Sequence, residues 1–298
     1  MLSWETIKTV MLVGAIASGC VLEAAAQGRP PARIHTATST EPLTLMPSDV
    51  VYRGAEVAID ENRRSLSITG NGIPDHAAGR FPNAGNPHDL RAQEVAFRVP
   101  KTPRVTGQTL ELRRDLYFGV ALNGVPFDPG AAEFWRGRPQ SGWTYEALGG
   151  AVRLGLDSNH AHVQPNGSYH YHGLPTGLLA DLNWRAEAAS PLVGYAADGF
   201  PIYAVTALVE GETAQVQSSY RLKSGARPGG AAPGGVYDGT FVQDYEYVPG
   251  AGDLDACNGM VITNAAYPDG TYAYFLTEEF PVVPRCLKGK PDRSFYKR

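Results

Sequence analysis

Cysteine is scarce in this chain, with three in 298 residues, at positions 20, 257 and 286. The close Cys-x-x-Cys spacing of redox motifs is missing. Charge is thin too: Asp, Glu, Lys and Arg make up 19% of residues and the net charge is −4. A chain that neutralises nucleic-acid phosphates needs a basic surface, so nucleic acid is excluded as a partner. No Gly-x-Ser-x-Gly elbow, Gly-rich phosphate loop with lysine, dinucleotide fingerprint or His-Glu-x-x-His helix occurs, which removes the common nucleophilic, nucleotide and zinc-protease chemistries. The one long apolar run, 9–21, is too short for a membrane span and is broken by Gly14 and Gly19. No repeat of fixed period appears, against a propeller or solenoid.

Turn formers, by contrast, are abundant. The 34 glycines and 23 prolines are about a fifth of the chain, which disfavours long helices. Between them lie short runs of β-branched and aromatic residues, among them 50–60, 65–69, 93–99, 116–122, 192–197, 202–208, 219–222, 241–248, 261–263 and 271–277. Strands at this spacing predict a mainly β fold, an antiparallel sandwich or barrel-like domain with few short helices. The helix candidates are 130–136 and 177–188, and the Pro-Gly-rich stretch 227–239 reads as a mobile loop.

The N-terminus reads as an export signal over 1–26: Lys8, an apolar stretch, then Ala24-Ala25-Ala26 before Gln27. Ala17-Ser18-Gly19-Cys20 also resembles a lipoprotein box, so a lipid anchor through Cys20 is an alternative to simple secretion. Residues 27–48 have the composition of a flexible leader, and 49–298 form a single domain. This organisation places the domain outside the cytoplasm, whether periplasmic, secreted or anchored at an outer surface. Cys257 and Cys286 are then an even pair in an oxidising compartment, most simply a disulfide.

Four of the seven histidines fall within thirteen positions, in Asn159-His160-Ala161-His162-Val163-Gln164-Pro165-Asn166-Gly167-Ser168-Tyr169-His170-Tyr171-His172. On a strand, residues i and i+2 share a face, so each His-x-His pair projects together. The Asn166-Gly167 step is a hairpin signal that folds one pair beside the other. Converging imidazoles are transition-metal ligands, copper or zinc being the natural ions. Tyr169 and Tyr171 should face away from them. His76 is a further ligand candidate and His88 a weaker one, while His35 is a bystander. Asp157, Asp198 and Asp255 are candidates to orient a ligating imidazole.

Tyr169-His170-Tyr171-His172, with the histidine-bearing segment before it, resembles the signature of the YHYH family. So do Asn71-Gly72-Ile73-Pro74-Asp75-His76, the segment Gly119–Pro129, Gly194–Tyr203, and the C-terminal segments around Cys257 and Cys286. The resemblance implies an extracytoplasmic domain with the histidines as its site, and it names no reaction. Three functions follow from the residues: a metal-binding protein using His160, His162, His170, His172 and His76; a metal-dependent hydrolase or copper oxidase acting on a small molecule through the same histidines; and a metal-free surface recognition domain. Four ligating histidines favour a closed site, whereas three with Asp157 or Asp198 nearby favour an open one.

Overall fold

A computed structural model of the chain describes residues 34–209 and 211–297. The expected signal segment 1–26 and Cys20 lie outside these residues. Most β-branched and aromatic runs become strands, and the fold is mainly β. The central sheet has eight strands: β1 (Gly119–Ala121), β2 (Pro126–Phe127), β3 (Ala161–Val163), β4 (Tyr169–Tyr171), β5 (Gly194–Ala196), β6 (Pro201–Ala204), β7 (Gly259–Asn264) and β8 (Tyr267–Leu276). Their order is β7-β8-β6-β5-β1-β2-β4-β3. Two neighbours, β2 with β4 and β6 with β8, run parallel, and the other pairs are antiparallel.

A three-stranded antiparallel sheet, Val57–Glu61, Ser65–Gly70 and Val95–Pro100, sends Ile68, Phe97 and Val99 into the same buried cluster as Phe118, Phe127, Tyr171 and Tyr274. Burying such side chains stabilises by about 1.5–3 kcal/mol each. This core backs the central sheet and fixes the height of the strands that carry the histidines.

Helix is scarcer than the sequence suggests. Of the stretch 177–188 only α1, Thr176–Asp181, is α-helical, and Asn183 at φ 56° stops it in the left-handed region. The stretch 130–136 forms no helix; Phe134 bridges Thr144 and Trp135 bridges His35. Trp135 packs edge-on against Phe241, so aromatic packing overrides the local pattern.

Two segments expected to be mobile are held in place. Over its described part, the proposed leader lies along the domain: Met46 N–H donates to Leu156 O at 2.8 Å, and the Tyr145 hydroxyl donates to Ala37 O at 2.9 Å. Loop 227–239 is pinned by Arg227, whose buried guanidinium donates to Asp244 at 2.6 and 2.7 Å, to Asp238, and to Thr38 O. Composition reads both segments as loose because neither has a periodic apolar face, whereas buried charge-assisted bonds do the holding.

Cys257 and Cys286 form the expected disulfide, with Cα atoms 5.1 Å apart and a sequence separation of 29. Closing such a loop contributes about 3.5 kcal/mol on the chain-entropy account. Replacing both cysteines by alanine is therefore expected to lower unfolding stability by about that amount, read as a lower urea midpoint. An unchanged midpoint would refute it.

Candidate metal centre

The hairpin forms where the sequence places it. Gly167 turns at φ 95°, a conformation that favours glycine, and Gln164 and Ser168 close the turn through a 2.9 Å backbone bond. Register then sets Tyr169 opposite Val163, His170 opposite His162, and Tyr171 opposite Ala161. Alternation sends Tyr169 and Tyr171 into the core and His162, His170 and His172 to the other face.

Those three imidazoles converge. His172 Nε2 lies 3.0 Å from His170 Nε2 and 3.1 Å from His162 Nε2, and the ring centroids are 4.7–4.8 Å apart. Nitrogens held about 2.0–2.1 Å from one ion at tetrahedral angles stand roughly 3.3 Å from each other. The observed spacing is close to that. His162, His170 and His172 thus form a group able to hold a metal ion.

Their outer nitrogens fix the tautomers. His162 Nδ1 is 2.8 Å from Leu154 O and His170 Nδ1 is 3.3 Å from Ser168 O. A carbonyl oxygen only accepts, so both Nδ1 atoms carry the proton and both Nε2 atoms present bare lone pairs to the centre. Asn86 Nδ2, 3.2 Å from His162 Nδ1, donates instead to Val163 O at 2.8 Å. A backbone carbonyl on the far nitrogen is the arrangement that orients and strengthens a ligating imidazole. His172 Nδ1 is buried with no partner. Lone pairs facing one another at this distance repel unless a proton or a cation lies between them.

A second proton, which would charge a ring, is disfavoured there. Burial, reinforced for His162 by the neighbouring His170, pushes His162 and His170 down to about 3, and burial drives His172 well below the usual imidazole range. All three rings are neutral at physiological pH, the form that ligates metals.

Two expected ligands stand elsewhere. His160 adopts φ 53°, which breaks the strand alternation, and its Nδ1 bonds Leu174 O at 2.9 Å. The His160-x-His162 pair therefore does not share a face, a correction to the pattern read from sequence. His76 lies behind the sheet, its Nε2 2.6 Å from the Tyr171 hydroxyl and its Nδ1 2.9 Å from Ala77 O. It joins the core-facing side because Tyr171 does. His88 is near enough to His162 to disfavour its protonation, and His35 stacks edge-on against Tyr145, away from the cluster.

The three aspartates serve backbone turns and tyrosines. Asp157, fully buried, accepts from the N–H groups of Gly79, Asn159 and Ala161 and from the Tyr169 hydroxyl at 2.6 Å. Asp198 accepts from Tyr274 and Gly289, and Asp255 from Cys257, Gly259 and Tyr272. None of these bonds reaches an imidazole of the cluster. Asp157 still matters, since it shapes the turn that leads into β3.

The residues that surround the cluster were missed in the sequence. Phe127 on β2 is registered with Tyr171, their rings 5.4 Å apart, so alternation carries Asp128 to the face of His170 and His172. Asp128 is buried, accepts from Gln164 at 2.9 Å and pairs with Lys297 at 2.5 Å. Burial raises its carboxyl, and Lys297 counters that. Arg285 pairs with buried Glu146 at 2.6 Å beside them. Gln164, two residues beyond His162, was the available signal: it shares the His162 face and reaches Asp128. Lys297 and Arg285 left none.

No curated protein and no solved structure matches the chain. A family model described as YHYH protein matches residues 96–289, a span that includes the hairpin, Asp128 and Arg285. That match covers well over half of the chain, and the protein belongs to the YHYH family.

Proposed function

We propose that this protein binds a transition-metal ion, copper or zinc, through Nε2 of His162, His170 and His172, and that it works outside the cytoplasm. The observation that carries the reading is the convergence of three neutral imidazoles, two of them oriented by backbone carbonyls that turn their Nε2 lone pairs inward. All-nitrogen ligation suits both ions, and copper stands higher in the general affinity order. The disulfide supports an oxidising compartment. Among the described residues, no helix is long and apolar enough to cross a membrane.

A second reading is favoured by the count of ligands. Three histidines rather than four leave a coordination position open, as catalytic metal sites do. A bound ion would then supply Lewis acidity toward an ester or phosphoester, or, as copper, a meeting point for oxygen.

Elemental analysis of tag-free protein, before and after chelation, tests the binding reading. About one copper or zinc per chain is expected when both are supplied, lost on chelation and restored on readdition. Occupancy near zero under replete conditions would refute both metal readings.

A further inference from the structure

The charges around the three histidines cancel before any ion arrives. The imidazoles are neutral, Asp128 is paired with Lys297 at 2.5 Å, and Glu146 is paired with Arg285 at 2.6 Å. Both carboxylates are at least nine-tenths buried, so neither is free to swing away to water. A divalent cation on the three Nε2 atoms would add two positive charges to a nearly dry site. Uncompensated charge in such surroundings is strongly unfavourable, and the electrostatics of a metal site include the ion's own charge.

Donors for an anion are already in place. Arg285 Nη1 donates to Pro129 O at 2.7 Å, immediately after Asp128, whose own N–H donates to Tyr171 O at 2.9 Å. The guanidinium therefore sits at the strand ends that present His172. Its Nη2 is taken by Glu146, but its Nε is buried and donates to nothing. Lys297, largely buried, gives Asp128 one hydrogen and rests 4.8 Å from the Tyr117 ring centroid. A buried N–H without a partner is costly, so an orphaned donor on a guanidinium held at the strand ends that present His172 points to a ligand.

We infer that the open position takes an oxyanion, a carboxylate or phosphate oxygen, with Arg285 Nε and Lys297 Nζ as its protein donors. The ligand of the centre is then a small acid or phosphate rather than a neutral molecule. This rests on the metal reading above and goes beyond it.

Cobalt(II), whose visible spectrum reports its ligands, makes the test direct. Tag-free protein is loaded with cobalt, its stoichiometry is measured, and acetate and inorganic phosphate are titrated separately at ionic strength held constant with sodium chloride. A saturable change in the cobalt bands is expected with at least one of them, and which one responds separates carboxylate from phosphate. Arg285→Lys and Lys297→Gln should each keep the cobalt and weaken that anion about ten-fold or more, the usual loss for one charge-assisted bond. Using both variants guards against one that fails to fold. A spectrum that neither anion changes, in protein that holds cobalt, overturns this inference and leaves the metal reading standing. Equal anion affinity in both cobalt-loaded variants overturns the assignment of donors. Failure to take up cobalt, copper and zinc alike overturns the metal reading and the inference together; where copper is held and cobalt is not, the same titration is read from the copper(II) bands.

Discussion

Replacing His170 and His172 together by alanine is expected to abolish metal uptake, while His76→Ala, His160→Ala and His35→Ala leave it at about one ion per chain. The reason is facial. His170 and His172 supply two of three converging Nε2 atoms, whereas His76 bonds Tyr171 behind the sheet and His160 is turned toward Leu174. Structural zinc sites with four ligands bind with roughly 10–16 kcal/mol, or about 2.5–4 kcal/mol per ligand. Losing one histidine should therefore weaken binding about 10²–10³-fold, and losing two should put it beyond detection at micromolar protein. Calorimetric titration of the variants with copper and zinc checks this. Full retention by the double variant, or loss in His76→Ala with the fold intact, would refute the assignment. The double variant is not expected to unfold, because it replaces buried imidazoles whose lone pairs oppose one another.

Asp157→Ala should have the largest effect on stability, lowering it by about 5 kcal/mol. Its carboxylate accepts from three backbone N–H groups and the Tyr169 hydroxyl, and the residue is fully buried. Alanine strands all four donors. Each buried unsatisfied donor costs roughly 1–3 kcal/mol, partly relieved if water enters. Against a total of about 5–15 kcal/mol for a typical domain, the variant stands near the threshold of folding. Tyr169→Phe removes one donor with its partner still satisfied by the others, and should cost only about 1–2 kcal/mol. Urea unfolding monitored by tyrosine and tryptophan fluorescence separates the two. A midpoint for Asp157→Ala equal to that of Tyr169→Phe would show that the carboxylate is not the organising acceptor. Because Asp157 forms the turn before β3, residual folded Asp157→Ala protein should also bind metal more weakly.

Much of the site was legible locally. The turn at Asn166-Gly167, the inward tyrosines and the outward His170 and His172 follow from an alternation with period two, which depends only on neighbours in sequence. The cysteine pairing was legible as well, since only two cysteines remain beyond the proposed signal segment. His160 was misread because one left-handed residue cancels the alternation, and nothing in His160-Ala161-His162 announces φ 53°. His76 was misread for another reason: a loop histidine carries no periodicity, so its face is set by the element it packs against. The Arg227 clamp was hidden behind Pro-Gly-Gly repeats that describe the flexibility of the unfolded loop and not the ion pairs that end it.

The sequence by itself determined that the chain is mainly β and that a β-hairpin carries its histidines. It also determined that two cysteines are available to pair, because strand period, turn chemistry and cysteine number are properties of short stretches or of simple counts. Only the tertiary structure decided that three imidazoles converge rather than four, and that the charges of Asp128, Lys297 and Arg285 act on them. Those residues come from positions as far apart as 128 and 297, and a parallel pairing of β2 with β4 fixes which face Asp128 shares. Long-range register of that kind depends on which surfaces bury together, and no local pattern encodes it.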